Sequence, residues 1–139
     1  LLSTSTALVP YVANLRKIQH ALFTAGSHLA NDPEKSSFKL PPFNVEVISE
    51  LEIQIDEMEK KLPPLKNFIL AGGHEGNGYA HVARCVCRRA ERRVVELSTR
   101  TEVDPAIIQY LNRLSDWLFV LARSISAETS SEEVAWVSS

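Results

Sequence analysis

The chain has 139 residues, of which 45% are hydrophobic and 23% charged, with a formal net charge of -2. That balance suits one globular domain with a sizeable core. The negative net charge excludes a generic polyanion binder, so no nucleic-acid partner is expected; no apolar run approaches the roughly 18 residues that span a bilayer, so no membrane is expected either.

The first residues carry neither a charged n-region nor a cleavage site, and no targeting signal is read there. Leu8, Val12, Leu15, Ile18, Leu22, Ala25 and Leu29 recur at three- and four-residue steps, which predicts a helix from near Leu8 with Pro10 in its first turn. Residues 31–42 are polar and turn-rich and read as a loop. Ile48, Leu51, Ile55, Met58 and Leu62 mark a second helix. Its other face carries Glu46, Glu50, Glu52, Asp56 and Glu59, and Pro63-Pro64 ends it. The glycine-rich run 71–78 is a poor helix former, so the third helix is expected over about 79–99. Asp104-Pro105 predicts the start of a fourth, with Ile107, Leu111, Leu114, Leu118, Leu121 and Ile125 on one face. No stretch alternates as a strand would. These patterns predict an all-α bundle of about four long helices. The whole of 1–139 reads as a single helical-bundle domain, with 127–139 as a mobile tail.

On the third helix, Arg84, Arg88, Glu91 and Arg92 fall within about 100° of one another, counting about 100° per residue. Ala83, Cys87, Ala90, Val94 and Leu97 form the neighbouring core face. Arg89 and Arg93 point away and read as exposed charge or weak surface pairs. The fourth helix repeats the arrangement: Asn112, Asp116, Phe119 and Arg123 line a stripe beside the apolar face. Pattern alone leaves two readings open. One is an inter-helix salt-bridge network, such as Glu91 with Arg113 or Asp116 with Arg88. The other is a ligand site, because paired Arg forks suit phosphate. The glycine run is not a P-loop, since no Gly-Lys-Ser/Thr follows it. Cys85 and Cys87 point about 200° apart on a helix, so they neither chelate one metal nor form a low-strain disulfide. His20, His28, His74 and His81 read as surface or loop residues, and no metal ligand set is expected.

Three segments together carry a resemblance. They are 62–70 (LPPLKNFIL) followed by Gly72-Gly73, 84–93 (RCVCRRAERR) and 110–123 (YLNRLSDWLFVLAR). In order and spacing they resemble the propanediol-utilisation type of ATP:cob(I)alamin adenosyltransferases, over about residues 15–123. The resemblance implies an up-and-down bundle of four to five helices, ferritin-like or cobalamin adenosyltransferase-like, assembled as a homotrimer with active sites between subunits. It implies transfer of the 5′-deoxyadenosyl group of ATP to cob(I)alamin, with Mg²⁺ accompanying ATP and cobalamin as substrate. It implies catalytic roles for Arg84, Arg88 and Glu91, and ATP contacts from Arg88, Glu91, Arg92 and Asn112. Arg84 would form an ion pair across the subunit interface. Phe68 and Phe119 would line the corrinoid pocket, Phe68 beneath the ring.

A reductase and an adenosylcobalamin-dependent enzyme are the implied partners, in a bacterial cytoplasm or a mitochondrial matrix. The family's Thr/Gly/Asp-rich N-terminal ATP loop has no counterpart in this sequence, and neither does the acidic residue that pairs with the arginine matching Arg84. An alternative is therefore a non-catalytic module that binds and delivers corrinoid. A nucleic-acid-binding helical domain is disfavoured, because the arginines are split over opposite helix faces.

Overall fold

Four amphipathic helices leave each other little choice but to bury their apolar stripes together, and they do so around the last of them. The computed structural model describes residues 9–31, 42–63, 69–70, 75–128 and 134–135. The helices are α1 (Val9–Ala30), α2 (Glu46–Glu59), α3 (Glu75–Ser98) and α4 (Pro105–Glu128), with two-residue strands β1 (Ile69–Leu70) and β2 (Val134–Ala135). Consecutive helices run in opposite directions. Glu91, Cys87 and Asn77 of α3 meet Asn112, Leu111 and Ala122 of α4, in that order. Gln54 of α2 meets Trp117, and Pro63, just past α2, meets Arg123, so α2 keeps the sense of α4. α1 runs against α2, sharing grooves through Asn14 and Met58 at one end and His20 and Val47 at the other. This is the expected up-and-down bundle.

α4 is its centre. All six expected core positions, from Ile107 to Ile125, are buried; so are Tyr110, Trp117, Val120 and Ala122. Trp117 is fully buried and its indole N–H donates to Gln54 Oε1 at 2.9 Å, tying α2 to α4. A buried indole needs such a partner. The helix starts where the sequence predicts: Asp104 Oδ1 accepts from the Ala106 N–H at 3.0 Å. On α2, Ile48, Leu51, Ile55 and Met58 are buried and the acidic residues lie outside, as expected; Leu62 falls just beyond the helix. Asn44 Oδ1 accepts from the Glu46 N–H at its start.

Three features differ from the sequence reading. α1 packs through Ile18, Ala21 and Ala25 while Leu22 is exposed, because the small alanines admit closer approach than the larger Leu22. α3 begins at Glu75, four residues before the expected start, and takes in Gly76 and Gly78. The helical cost of those glycines is offset by Asn77, which is buried and donates to the Ala122 carbonyl at 2.9 Å and Ser126 Oγ at 2.8 Å. Finally, Ile69 pairs with Ala135 and Leu70 with Val134, antiparallel. Two-residue strands are too short to show alternation in a sequence. β2 lies within the stretch 127–139, and α4 extends into that stretch as far as Glu128.

Candidate functional site

The seam between α3 and α4 brings both sequence-predicted stripes together. Arg84 and Glu91 are half-buried, whereas Arg88 and Arg92 are exposed. The core face of α3 lies closer to Arg84 and Glu91 than expected: Ala80, Cys87 and Val94 are buried, Ala90 and Leu97 are half-buried, and Ala83 is exposed. Opposite, the α4 stripe passes inward along the helix. Asn112 is exposed, Asp116 and Phe119 are half-buried, and Arg123 is buried. Phe68 lies outside the described residues, as does His74.

The bonds across the seam are not the salt bridges that the sequence suggests. Asn112 Nδ2 donates to Glu91 Oε2 at 3.2 Å, and Asn112 Oδ1 accepts from Arg113 Nη2 at 2.8 Å and Arg113 Nε at 3.3 Å. Arg113 Nη2 also reaches Asp116 Oδ2 at 2.6 Å, a pair within α4. A neutral amide thus stands where one of the two open readings placed a Glu91–Arg113 pair. Arg88 and Arg92 have no ion pair or hydrogen-bond partner among the described residues. They stand one turn apart on α3, on either side in sequence of Glu91, whose carboxylate Asn112 already orients. Such a pair can receive successive phosphates. Arg93 pairs with Glu96 at 3.5 Å on the far side, both groups well exposed, and Arg89 is exposed, as anticipated.

Further along the seam, Arg84 lies over the Phe119 ring, its Cζ 5.2 Å from the ring centre. The His81 ring packs edge-on against the same phenyl at 6.3 Å. His81 was read as a surface or loop residue and is neither: it faces the seam one turn before Arg84. The signal was present in its three-residue spacing from Arg84 inside the helix expected from about residue 79. His81 Nε2 and Arg84 Nε are both buried with no hydrogen-bond partner among the described residues. Burial, and then the Arg84 charge, lower the His81 pKa below its ordinary 6.5. Cys87 donates to the Leu111 carbonyl at 3.2 Å, and burial, with Glu91 adding and Arg88 opposing, pushes its thiol up to about 11. It is a packing residue, not a nucleophile. Cys85 is exposed, and the two thiols are free. Among the described residues, no helix is long and apolar enough to cross a membrane.

Comparisons with known proteins identify the pattern. A family model described as cobalamin adenosyltransferase matches residues 2–125. Corrinoid adenosyltransferase MMAB of Bos taurus is 42% identical over 127 residues, covering 89% of this chain and 53% of that protein. Corrinoid adenosyltransferase of Bacillus subtilis (strain 168) is 42% identical over 124 residues, covering 89% of this chain and 63% of that protein. The chain therefore spans about half to three fifths of the length of these two relatives. A solved structure of a phenylalanine-to-alanine variant of PduO-type ATP:corrinoid adenosyltransferase from Lactobacillus reuteri, complexed with cobalamin and ATP, superposes with a TM-score of 0.86 at 31% identity, over 96% of this chain and 74% of that one.

The His81 environment gives a test by pH. A lowered folded-state pKa means that the unfolded chain takes up the proton first as pH falls below 6.5, so stability present above that pH is lost on acidification. Denaturant midpoints measured between about pH 7.5 and 5.5 should fall more steeply for the natural protein than for His81→Gln. Equal slopes would remove His81 from that dependence.

Proposed function

This chain belongs to the cobalamin adenosyltransferase family, and from that premise we propose that its protein transfers the 5′-deoxyadenosyl group of ATP to cob(I)alamin. Cobalt(I) supplies an electron pair to the 5′-carbon. The cobalt–carbon bond forms as the carbon–oxygen bond to the triphosphate breaks, giving adenosylcobalamin and inorganic triphosphate. The metal ends as cobalt(III). ATP enters as its Mg²⁺ complex, and ATP and cob(I)alamin are both substrates. Since cobalt(I) is itself the nucleophile, the protein's tasks are alignment and charge stabilisation. A seam furnished with Arg, Glu, Asn and Phe, instead of an activated Ser or Cys, suits those tasks.

The observation that carries the reading is the pair Arg88 and Arg92, exposed and without an ion-pair or hydrogen-bond partner among the described residues, on the same helix as Glu91, which Asn112 bonds. We assign the triphosphate to the two arginines and the nucleoside to Glu91 and Asn112. Phe119, backed by Arg84 and His81, is assigned to the corrinoid. Phe68 joins it on the strength of the family resemblance. A phenyl group beneath the corrin supplies bulk and no donor atom, which excludes a lower ligand and favours reduction to cobalt(I).

We further propose a homotrimer with sites between subunits, working with a cobalt reductase and an adenosylcobalamin-dependent enzyme, in a bacterial cytoplasm or a mitochondrial matrix. Two observations support the subunit contact. The buried Arg84 Nε lacks a partner among the described residues, as expected of a group completed by a neighbouring carboxylate. Tyr79, Val82 and Val86 stand exposed along one side of α3. Sedimentation of the full-length protein should give a trimer, and a monomer at working concentration would contradict the intersubunit site.

Activity is tested by supplying the full-length protein with cob(I)alamin, ATP and Mg²⁺ and following adenosylcobalamin. Turnover is expected. Arg88→Ala should lower kcat/KM for ATP by about 100-fold, the loss typical of one transition-state charge partner. Cobalamin binding without turnover would instead establish the delivery module, and a normal ATP KM and kcat in Arg88→Ala would reduce that residue to a surface charge.

A further inference from the structure

Three contacts across the α3–α4 seam share one spacing. Asn77 Nδ2 donates to Ser126 Oγ at 2.8 Å, Arg84 lies over the Phe119 ring at 5.2 Å, and Asn112 Nδ2 donates to Glu91 Oε2 at 3.2 Å. Asn77, Arg84 and Glu91 follow one another at seven-residue steps on α3. Their partners Ser126, Phe119 and Asn112 follow at the same steps on α4, in the opposite direction. Seven residues are about two turns, roughly 10 Å of rise. The contacts are therefore rungs of one antiparallel register, and a slip of either helix would disturb all three.

The rungs differ in kind. The outer two are hydrogen bonds, which have a definite geometry. The middle one is a cation over a ring, and Arg84 Nε has no hydrogen-bond partner among the described residues. Where Arg84 stands over Phe119 is thus set by the outer rungs. Those two are unequal. Asn112 is exposed, and the nucleoside assigned to Glu91 and Asn112 would compete for their bond. Asn77 is 2% exposed and makes a second bond, to the Ala122 carbonyl at 2.9 Å. A buried amide is costly to leave unpaired, so this rung is the firmer one. Local helix preference does not replace it. Gly76 and Gly78 flank Asn77 within α3, and both weaken a helix. A Cβ added at Gly78 would meet nothing within 4 Å, so packing does not demand that glycine.

We propose that Asn77 is a positioning residue for the corrinoid substrate: its buried bonds to α4 hold the register in which Arg84 meets Phe119, and they keep it while ATP occupies Glu91 and Asn112. The inference rests on the ATP and corrinoid sites proposed above. His81, one turn after Asn77 and packed against the same phenyl, is held by the same register. The two ends of the seam then have separate duties. The Asn112 end is free to exchange a protein bond for a substrate, and the Asn77 end stays closed.

The test uses the full-length protein with ATP, Mg²⁺ and cob(I)alamin. It reads kcat/KM for cob(I)alamin beside the KM for ATP. Asn77→Leu keeps the bulk and removes both donors. It should lower kcat/KM for cob(I)alamin about tenfold, a loss of the size that misplacement by part of an ångström produces, with the ATP KM within about twofold. Ser126→Ala removes one of the two acceptors and should cost about threefold, again with the ATP KM held. The proposal is overturned if Asn77→Leu keeps the natural value for cob(I)alamin while Phe119→Ala loses it. Should Asn77→Leu not fold, a natural value in Ser126→Ala overturns it equally. An ATP KM that rises as far as kcat/KM for cob(I)alamin falls also overturns it, since that marks a merely structural residue. An unchanged cob(I)alamin value in Phe119→Ala, or an unchanged ATP KM in Asn112→Ala, is a different failure. It removes the proposed site itself, and this inference with it.

Discussion

The amide of Asn112 stands between a carboxylate on α3 and a guanidinium on its own helix, and the character of the seam depends on that placement. An amide donates from one atom and accepts at the other, so it satisfies Glu91 and Arg113 together without joining them. Had Glu91 paired with an arginine of α3, the local charge would have been neutralised on one helix. Glu91 is held across the seam instead, and Arg113 is turned toward Asp116. Arg88 and Arg92 then remain as cations with no protein partner among the described residues. Exposed, unpaired guanidinium groups a turn apart are cheap to maintain in water and gain most when a polyphosphate arrives.

The second constraint is the course of the α4 stripe. Asn112 and Arg123, with Phe119 between them, lie eleven residue steps apart, roughly 16 Å at 1.5 Å per residue. Exposure falls along that length, from an open amide to a half-buried phenyl to a buried guanidinium. The polar end suits a nucleotide and the sheltered end suits a large, partly apolar ring. His81 and Arg84 close the middle against Phe119, and burial, with the Arg84 charge, disfavours the imidazolium there. One helix can therefore place two chemically different substrates on a common axis, as a displacement at carbon requires.

Much of this was legible in the sequence. Three-and-four spacing gave α2 and α4 their buried faces residue by residue, since both have clean apolar stripes and clear stop or start signals at Pro63 and Asp104-Pro105. The same arithmetic brought Arg84, Arg88 and Glu91 together with Asn112. It failed where tertiary contacts outweigh local preference. α3 reaches back through two glycines because Asn77 is anchored on α4, and nothing near Asn77 in the sequence signals Ala122 or Ser126. Likewise, Arg123 reads as one more member of a polar stripe, and only the packing makes it a buried tether to Pro63. The partner of Glu91 was left open because charge pattern offers opposite charges and is silent about an intervening amide.

On the proposed function, the α3–α4 seam binds ATP at its Asn112 end and corrinoid at its Phe119 end. Amide hydrogen exchange of the full-length protein, with ATP alone and with cob(II)alamin alone, tests it most directly. ATP should slow exchange mainly in residues 88–93 and 110–116. Cob(II)alamin should slow it mainly in residues 76–84 and 119–126. Protection of the same end by both ligands, or of neither, would contradict the account.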